Sequence, residues 1–303
     1  MKRATLPALL LALAAMSARA DIAAITSQTA GALTLIDTDT ATILSTTPLP
    51  GDPAAVAIDT GRNRILAIAV DTARLHVFDL SGQPIASFAV AGAPFGLAID
   101  PATGAALITD QNGLLRQVDP ATGRETANWQ VGKLPSGVAV GDGVIVTADR
   151  DANTLTVVGG DRVRTVPVGR HPFGVTLHDG LIFSANVLDN SVSVIDVATL
   201  TPRATIATGE RPYAIAFAQG LGFVSNQYDC SVTVFDDTFT VIARIETGDY
   251  PEGIAATADG RQIVVANWFT DTVTLIDAQT LTVSAVIDVP AGPRAFGLFT
   301  GLP

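Results

Sequence analysis

The fold is decided by a stretch that recurs along the chain, and residues 248–277 show it most fully: GDYPEGIAATADGRQIVVANWFTDTVTLID. Turn residues (Gly, Asp and Pro) separate short runs rich in Val, Ile, Ala and Thr, a composition typical of strands joined by tight turns. No run in it has the 3.6-residue apolar period of a helix. The stretch therefore predicts three consecutive β-strands.

The proline of this stretch has six equivalents, each preceded by a turn and followed by a short apolar strand. The seven prolines are Pro53, Pro94, Pro135, Pro172, Pro212, Pro251 and Pro293. They lie 37 to 42 residues apart, a period typical of β-propeller blades. Two residues after each proline stands Gly or Ala, as expected where innermost strands approach one another closely. Seven anchors predict seven blades.

The two ends of the chain share one of these blades. After Pro293 the chain supplies a single strand, RAFGLF, whereas residues 22–49 supply three. We therefore expect an all-β, seven-bladed β-propeller of four-stranded antiparallel blades, closed by a blade with one C-terminal and three N-terminal strands. Such closure removes the exposed sheet edges of an open array. Residues 21–303 would then form a single domain.

The first 20 residues have the composition of a secretory signal peptide. Lys2 and Arg3 precede an apolar stretch over residues 6–16, and the small-residue triplet Ala-Arg-Ala ends at Ala20. The apolar stretch is shorter than the roughly 20 residues that span a bilayer, and no later stretch is long enough. We expect cleavage after Ala20 and a periplasmic or secreted protein without a membrane span.

Charge and cysteine content narrow the partner classes. The sequence has 29 acidic and 18 basic residues, a formal net charge of −11 at pH 7. Such a protein is repelled on average by phosphate backbones, which argues against nucleic acid as a partner. Cys230 is the only cysteine, so no internal disulfide forms. It takes a turn position where other units carry Asn190 or Asp271, either as a small turn residue or as a thiol open to a partner.

The combination of motifs resembles the YVTN-repeat, YncE-like family of seven-bladed β-propellers. In residues 248–277 the resemblance rests on GDYPEG, the strand end VAN and the strand TVTLID. It covers the whole of residues 21–303 and implies a fold more specifically than a function. Members are mostly bacterial periplasmic or surface proteins, some linked to nucleic-acid binding. Wider relatives of similar architecture include amine dehydrogenase heavy chains, the haem d1 domain of nitrite reductases and propeller lactonases.

Loops on one face of a propeller show where a site is expected. The loop leading into each first strand and the loop between the second and third strands lie on the same face, called the top face here, around the channel mouth. Aromatic and charged residues concentrate in four successive units, from Pro172 to Pro293. The candidate ligand- or partner-binding residues are His171, Arg211, Tyr213, Tyr250, Glu252, Trp268, Arg294, Asn186, Asn226 and Asn267.

Each candidate also has a structural explanation. Asn at a strand end usually caps its own turn, and Tyr250 or Trp268 can pack between blades. Arg294 and Glu252 can pair across loops. His171 is the only catalytic candidate, as a titratable group at the mouth, unless neighbouring backbone holds its imidazole. The sequence contains no nucleophile elbow and no phosphate-binding loop.

No cofactor is predicted, although a Ca²⁺-like ion is considered, since hard cations accept carboxylate and amide oxygens. The candidate ligands are Asp149, Asn186, Asn226 and Asn267. The leading hypothesis is a binding or scaffold module that presents its top-face channel mouth to a protein or small-molecule ligand. One alternative is an enzyme or enzyme subunit of the lactonase or amine-dehydrogenase-accessory type. A second is nucleic-acid binding through a local basic rim of Arg150, Arg170, Arg211 and Arg294.

Overall fold

Seven four-stranded antiparallel sheets form a closed ring in the computed structural model, which describes residues 21–302. Apart from one 3₁₀ turn at Thr60–Arg62, the regular elements in this range are all strands. The predicted signal peptide, residues 1–20, lies outside it. Among residues 21–302, no helix is long and apolar enough to cross a membrane. The predicted seven-bladed propeller is thereby confirmed.

The strands are numbered β1 to β28 in chain order. The closing blade consists of β1 Ile22–Ser27, β2 Ala32–Asp37, β3 Thr42–Pro48 and β28 Thr300–Gly301. Each further blade starts with its innermost strand, and the first of them consists of β4 Pro53–Asp59, β5 Arg64–Ala69, β6 Arg74–Asp79 and β7 Pro84–Ala89. The next consists of β8 Pro94–Ile99, β9 Ala106–Asp110, β10 Leu114–Val118 and β11 Glu125–Gln130. The one after it consists of β12 Pro135–Gly141, β13 Val144–Asp149, β14 Thr154–Gly159 and β15 Arg162–Pro167. The first of the last three blades consists of β16 Pro172–His178, β17 Leu181–Asn186, β18 Ser191–Asp196 and β19 Pro202–Ala207. The second consists of β20 Pro212–Ala218, β21 Leu221–Asn226, β22 Ser231–Phe235 and β23 Val241–Glu246. The third consists of β24 Pro251–Ala256, β25 Gln262–Asn267, β26 Thr272–Asp277 and β27 Thr282–Asp288.

The core lies between neighbouring blades. Second and third strands are buried along nearly their whole length, because a blade packs against each of their faces. This explains why they read as continuous apolar runs rather than as alternating ones. Phe183 of one blade, for example, packs with Phe235 of the next in a single cluster. Fourth strands such as β19 lie at the outer edge and are largely exposed.

The small residue two positions after each proline lies where innermost strands meet. A Cβ atom added to Gly137 would stand 2.5 Å from the carbonyl oxygen of Phe173, and one added to Gly174 would meet the carbonyl oxygen of Tyr213. Both obstacles are backbone, which cannot yield as a side chain does. Close approach is therefore the reason for Gly at these positions, as the repeat predicts.

The C-terminal segment closes the ring in a different way from the predicted strand RAFGLF. Only Thr300 and Gly301 form a strand, paired with Ala23 and Ile22 of β1. Residues 294–299 are irregular instead. Ala295 and Gly297 have φ values of 51° and 115°, which interrupt the extended backbone.

This irregular segment bonds to both blades beside it. The amide of Val56 donates to the carbonyl of Phe296 at 2.8 Å, and that of Ile58 donates to Leu298 at 2.9 Å. On its other side the amide of Arg294 donates to the carbonyl of Thr26 at 2.9 Å. The shared blade is thus confirmed, while the Phe296 side chain is placed among the rings of the channel.

Candidate functional site

The loop that leads into each first strand holds one residue in a left-handed conformation on the top face. His171, Arg211 and Tyr250 have φ values of 57°, 58° and 62°. Asp52 and Leu134 have the same geometry at the same place, with φ values of 56° and 51°. The turn is therefore a property of the blade. Which side chain it displays at the mouth is set by the sequence of each unit.

A carboxamide from the preceding blade fixes two of these turns. Oδ1 of Asn153 accepts a hydrogen bond from the amide of His171 at 2.9 Å, and Oδ1 of Asn190 accepts from the amide of Arg211 at 3.1 Å. Cys230, at the equivalent position of the next blade, has a φ of 50° and a free thiol. The loops carrying His171 and Arg211 are thus held across blade boundaries.

Four aromatic side chains, named here the aromatic plug, lie across the channel below the top face. The ring centroids of Phe173 and Tyr213 are 3.9 Å apart, and that of Phe296 is 5.3 Å from Phe173. Phe95 completes the plug at 5.8 Å from Phe173. The plug forms the upper end of an axial cavity of about 700 Å³ that reaches Arg62 near the bottom face. The mouth therefore has an aromatic floor, and the surface above this floor is named here the cup.

Arg150 lies over this floor, half-buried. Its Cζ atom is 5.4 Å from the ring centroids of both Phe95 and Phe173. Burial lowers the pKa of the Arg150 guanidinium, Tyr213 and Asp151 oppose this effect, and the charge of Arg294 adds to it. Within residues 21–302 no carboxylate forms a salt bridge with Arg150.

The charges of Arg150 and Arg211 both act on His171, and these three residues are named here the cationic group. The Cζ atom of Arg211 is 5.0 Å from the ring centroid of Tyr228, and this guanidinium too has no salt bridge in the described range. Burial lowers the pKa of His171, as do the positive charges of Arg150 and Arg211, while Asp151 opposes them. At pH 7 the group therefore carries two positive charges and a neutral imidazole.

Arg294, in contrast, has protein partners for four of its five N–H donors. Its Nε and Nη2 atoms donate to the two carboxylate oxygens of Glu252 at 2.7 and 3.2 Å, and its Nη1 donates to Gln28 at 2.7 Å. Glu252 is 1% exposed and also accepts from Gln227 at 2.7 Å. Burial raises the pKa of Glu252, against which Arg294 and Gln227 favour the charged form. The predicted pairing of Arg294 with Glu252 across loops is present, and it is buried.

Tyr213 lies beneath this pair, and its hydroxyl accepts a weak hydrogen bond of 3.4 Å from Arg294. Burial, followed by the charge of Glu252, raises the pKa of Tyr213 far above its ordinary value. Its phenol therefore stays protonated and belongs to the floor of the cup. Tyr213 and Glu252 thus support the site from below.

Four further aromatic residues, named here the aromatic rim, continue the cup towards solvent. They are Tyr228, Tyr250, Trp268 and Phe269. The ring of Tyr250 lies 5.4 Å from Tyr228, 5.7 Å from Trp268 and 4.6 Å from Phe269. Burial, with the neighbouring Tyr228 phenol, raises the pKa of Tyr250 to about 12. Tyr228 and Phe269 are 52% and 63% exposed, and adjoining exposed aromatic side chains mark interaction surfaces.

The three candidate asparagines lie inside the blades. Each is at most 1% exposed, and each donates through Nδ2 to two hydroxyls of the third strand of its own blade. The pairs are Asn186 with Ser191 and Ser193, Asn226 with Ser231 and Thr233, and Asn267 with Thr272 and Thr274. These side chains therefore bind groups of their own blade rather than pointing into the cup.

Asp149 has the same place in its blade. Its carboxylate accepts from the hydroxyls of Thr147 at 2.8 Å and Thr156 at 2.7 Å, and burial raises its pKa. The candidate metal ligands are therefore held separately, each by hydroxyls of its own blade. Among residues 21–302, no three His, Cys, Asp or Glu side chains are grouped so that they could hold a metal ion.

Sequence reasoning missed part of the mouth. Gln28 and Gln227, which hold the ion pair, directly follow the last residue of a second strand, as do Arg150 and Trp268. The backbone amide at this position donates to the carbonyl of the left-handed residue, as from Arg150 to Leu134. Aligning this position across the units would have found the two glutamines beside Arg150 and Trp268, which are already candidates from the sequence. Phe296 has no such signal, because the irregular closing segment places it.

Comparisons with known proteins support the fold. No family model and no curated protein matches the chain. A functionally unknown protein from Desulfotomaculum acetoxidans DSM 771 matches with a TM-score of 0.78 and 15% identity, covering 91% of this chain and 99% of that one. A chain of Kuenenia stuttgartiensis hydrazine synthase matches with a TM-score of 0.72 and 16% identity, covering 84% and 91%. Membership of the YVTN-repeat family stays a prediction, and the chain is a seven-bladed β-propeller similar in fold to these two proteins.

Proposed function

We propose that this chain is a periplasmic or secreted binding module that captures a ligand or partner in the cup on its top face. The observation that carries the proposal is that two guanidiniums without carboxylate partners in the described chain lie against aromatic side chains at the mouth, Arg150 over the plug and Arg211 over the rim. Tyr, Trp and Arg are the residues that contribute most to binding at interfaces. The composition of residues 1–20 supports export.

The bottom face offers a contrast. Its turns carry one Asp in each of six blades, and each of these carboxylates accepts a backbone hydrogen bond within its own turn. The six are Asp37, Asp79, Asp119, Asp196, Asp236 and Asp277. These polar groups are used in capping, whereas the top face keeps cationic and aromatic groups without such partners.

The cup is also organised before binding. Inter-blade hydrogen bonds fix the loops of His171 and Arg211, and the ring contacts of the rim restrict its side chains. Restricting these groups in advance reduces the conformational entropy lost on association. The geometry is therefore that of a preformed binding surface.

A capture experiment tests the proposal. The immobilised protein is exposed to soluble extract of its own cells, and capture is compared between the wild type and the triple variant Arg211→Ala, Tyr250→Ala, Trp268→Ala. The matched control is the bottom-face variant Arg124→Ala, Asp142→Ala, Asp179→Ala, whose residues are exposed. We expect the top-face variant alone to lose capture. Unchanged capture by that variant, or equal loss in the control, would contradict the proposal.

A further inference from the structure

We infer that the cup binds a small organic anion whose carboxylate or phosphate group lies between Arg150 and Arg211. The inference rests on the proposed function, because it assigns a ligand class to the same cup. Both groups match the planar fork of a guanidinium, which can donate two parallel hydrogen bonds to them.

Arg150 differs from the other shielded arginines of the protein in its partners. Three other arginines, whose side chains are 12 to 15% exposed, each pair with a buried carboxylate. The pairs are Arg64 with Asp59 at 2.9 Å, Arg116 with Asp110 at 2.6 Å and Arg294 with Glu252 at 2.7 Å. Arg150 has the faces of two phenylalanine rings and one long contact, 3.5 Å, from its Nε to the carbonyl of Leu134. A desolvated charge is normally paired, and in the described chain Arg150 lacks the carboxylate that these three arginines have.

Within the described part of the chain, the carboxylates around the mouth form no salt bridge with Arg150 or Arg211, and Asp151 acts on Arg150 and His171 only through its charge. Asp189 pairs with Arg170 at 2.6 Å, and Asp229 pairs with Arg244 at 3.0 Å. These loop carboxylates are directed to arginines outside the cup, so Arg211 has only the ring of Tyr228. An anion from solution would supply the partner that both cup arginines lack, and a locally positive cleft on an acidic protein attracts such ligands.

The aromatic rim beside the cationic group indicates what the rest of the ligand is. On one side of the cationic group the rim presents Tyr228 and Tyr250, whose ring centroids are 5.4 Å apart. An apolar or aromatic part attached to the anionic group would pack against these faces. An inorganic ion would contact only the arginines and would leave these ring faces without a partner. The cup therefore fits an organic anion better than a free inorganic ion.

Titration of the full chain with four probes tests this assignment: benzoate, phenyl phosphate, inorganic phosphate and the neutral benzamide. Fluorescence is a suitable signal, because Trp268 lies in the rim and the sequence has only two tryptophans. We expect benzoate or phenyl phosphate to bind at least tenfold more tightly than benzamide. Whichever of the two binds better identifies the anionic group, and inorganic phosphate should bind more weakly than phenyl phosphate.

Two variants locate the anion. Arg150→Gln and Arg211→Asn should each weaken binding at least tenfold; Asn tolerates the left-handed backbone at position 211. Arg203→Gln, at an exposed position of β19, should change affinity less than twofold. Benzamide binding as tightly as both anions, or variants that bind the anions normally, would overturn the inference.

The two proposals can fail separately. If the wild-type protein binds none of the anions while the top-face triple variant still loses capture, the ligand class is wrong and the proposed function stands. If the wild type binds the anions as expected while the triple variant keeps full capture, the anion site stands and the proposed capture of a partner by this face is wrong.

Discussion

At the scale of single residues, Arg150 and Arg294 carry the same charge in opposite situations. Arg294 forms a bidentate pair with Glu252, which is almost fully buried, whereas Arg150 lies against aromatic faces and has no carboxylate partner among residues 21–302. The first arrangement stabilises the fold and occupies four of the five N–H donors of Arg294. The second leaves both terminal nitrogens of the Arg150 fork available, since only its Nε contacts an acceptor of the described residues, the carbonyl of Leu134 at 3.5 Å.

Glu252→Ala should therefore destabilise the protein strongly. It leaves Arg294 buried with an uncompensated charge, a change that costs about 3 to 5 kcal/mol. Urea unfolding followed by circular dichroism measures the free energy of unfolding. Glu246→Ala, at an exposed position of β23, serves as control and should stay within about 0.5 kcal/mol of the wild type. A similar small loss for Glu252→Ala would show that the pair does not hold the mouth.

His171 should make anion binding depend on pH. The groups that surround it are Arg150, Arg211 and Asp151, with Asn153 on its backbone amide. Burial and the two arginines lower its pKa in the free protein, and a bound anion would raise it. Binding then takes up a proton, so affinity should rise as the pH falls from 7.5 towards 5.5.

Benzoate titrations at several pH values measure this dependence. His171→Asn keeps a residue that tolerates the left-handed backbone and should give a flat profile. Affinity that falls on acidification of the wild type would contradict the placement of the anion beside His171.

At the scale of the element, the blade explains which predictions succeed. Turns and strand lengths are determined locally, so the prolines and the small residues after them predict the seven units. Asn186, Asn226 and Asn267 show where local reasoning stops. A strand-end asparagine has the same sequence pattern whether it caps its blade or faces a ligand, and only burial distinguishes the two.

Asn226→Ala tests that distinction. It removes the donor shared by the hydroxyls of Ser231 and Thr233, and the loss of these buried hydrogen bonds should destabilise the protein by about 1 to 3 kcal/mol. Because the side chain does not reach the cup, benzoate affinity should stay within twofold of the wild-type value. Normal stability together with weakened binding would place Asn226 in the site instead.

The contact between innermost strands gives a second prediction at this scale. Gly137→Ala would push a methyl group against the backbone of β16 and should destabilise by about 1 to 3 kcal/mol. Gly141→Ala, in the same strand, is the matched control, since its methyl group would meet only the side chain of Leu177 at an ordinary 3.5 Å. Equal effects on thermal unfolding would mean that backbone proximity is not the reason for the glycine.

At the scale of the whole molecule, the C-terminal segment that closes the ring also forms part of the site. The C-terminal segment supplies Arg294 to the ion pair and Phe296 to the aromatic plug, and it bonds to the blades on both sides. The sequence predicts a shared blade but not this irregular path. The left-handed Ala295 and the position of Phe296 depend on rings from blades that are distant in the sequence.

The charge of the mouth also depends on contacts between blades that are distant in the sequence. Glu252 and Arg294 are 42 residues apart, and the lack of a partner at Arg150 is a property of the folded ring. The repeat identifies the residue types of the top face. It does not show which cations are engaged and which are available, because pairing depends on distances across three blades.

Hydrogen exchange of the full chain with and without saturating benzoate is the decisive test of an anion-binding cup, because it reports where on the ring a ligand binds. We expect added protection in the top-face loops around Arg150, His171 and Arg211, and no change in the bottom-face turns or with benzamide. Protection of the bottom face, or equal protection by both compounds, would contradict an anion site in the cup.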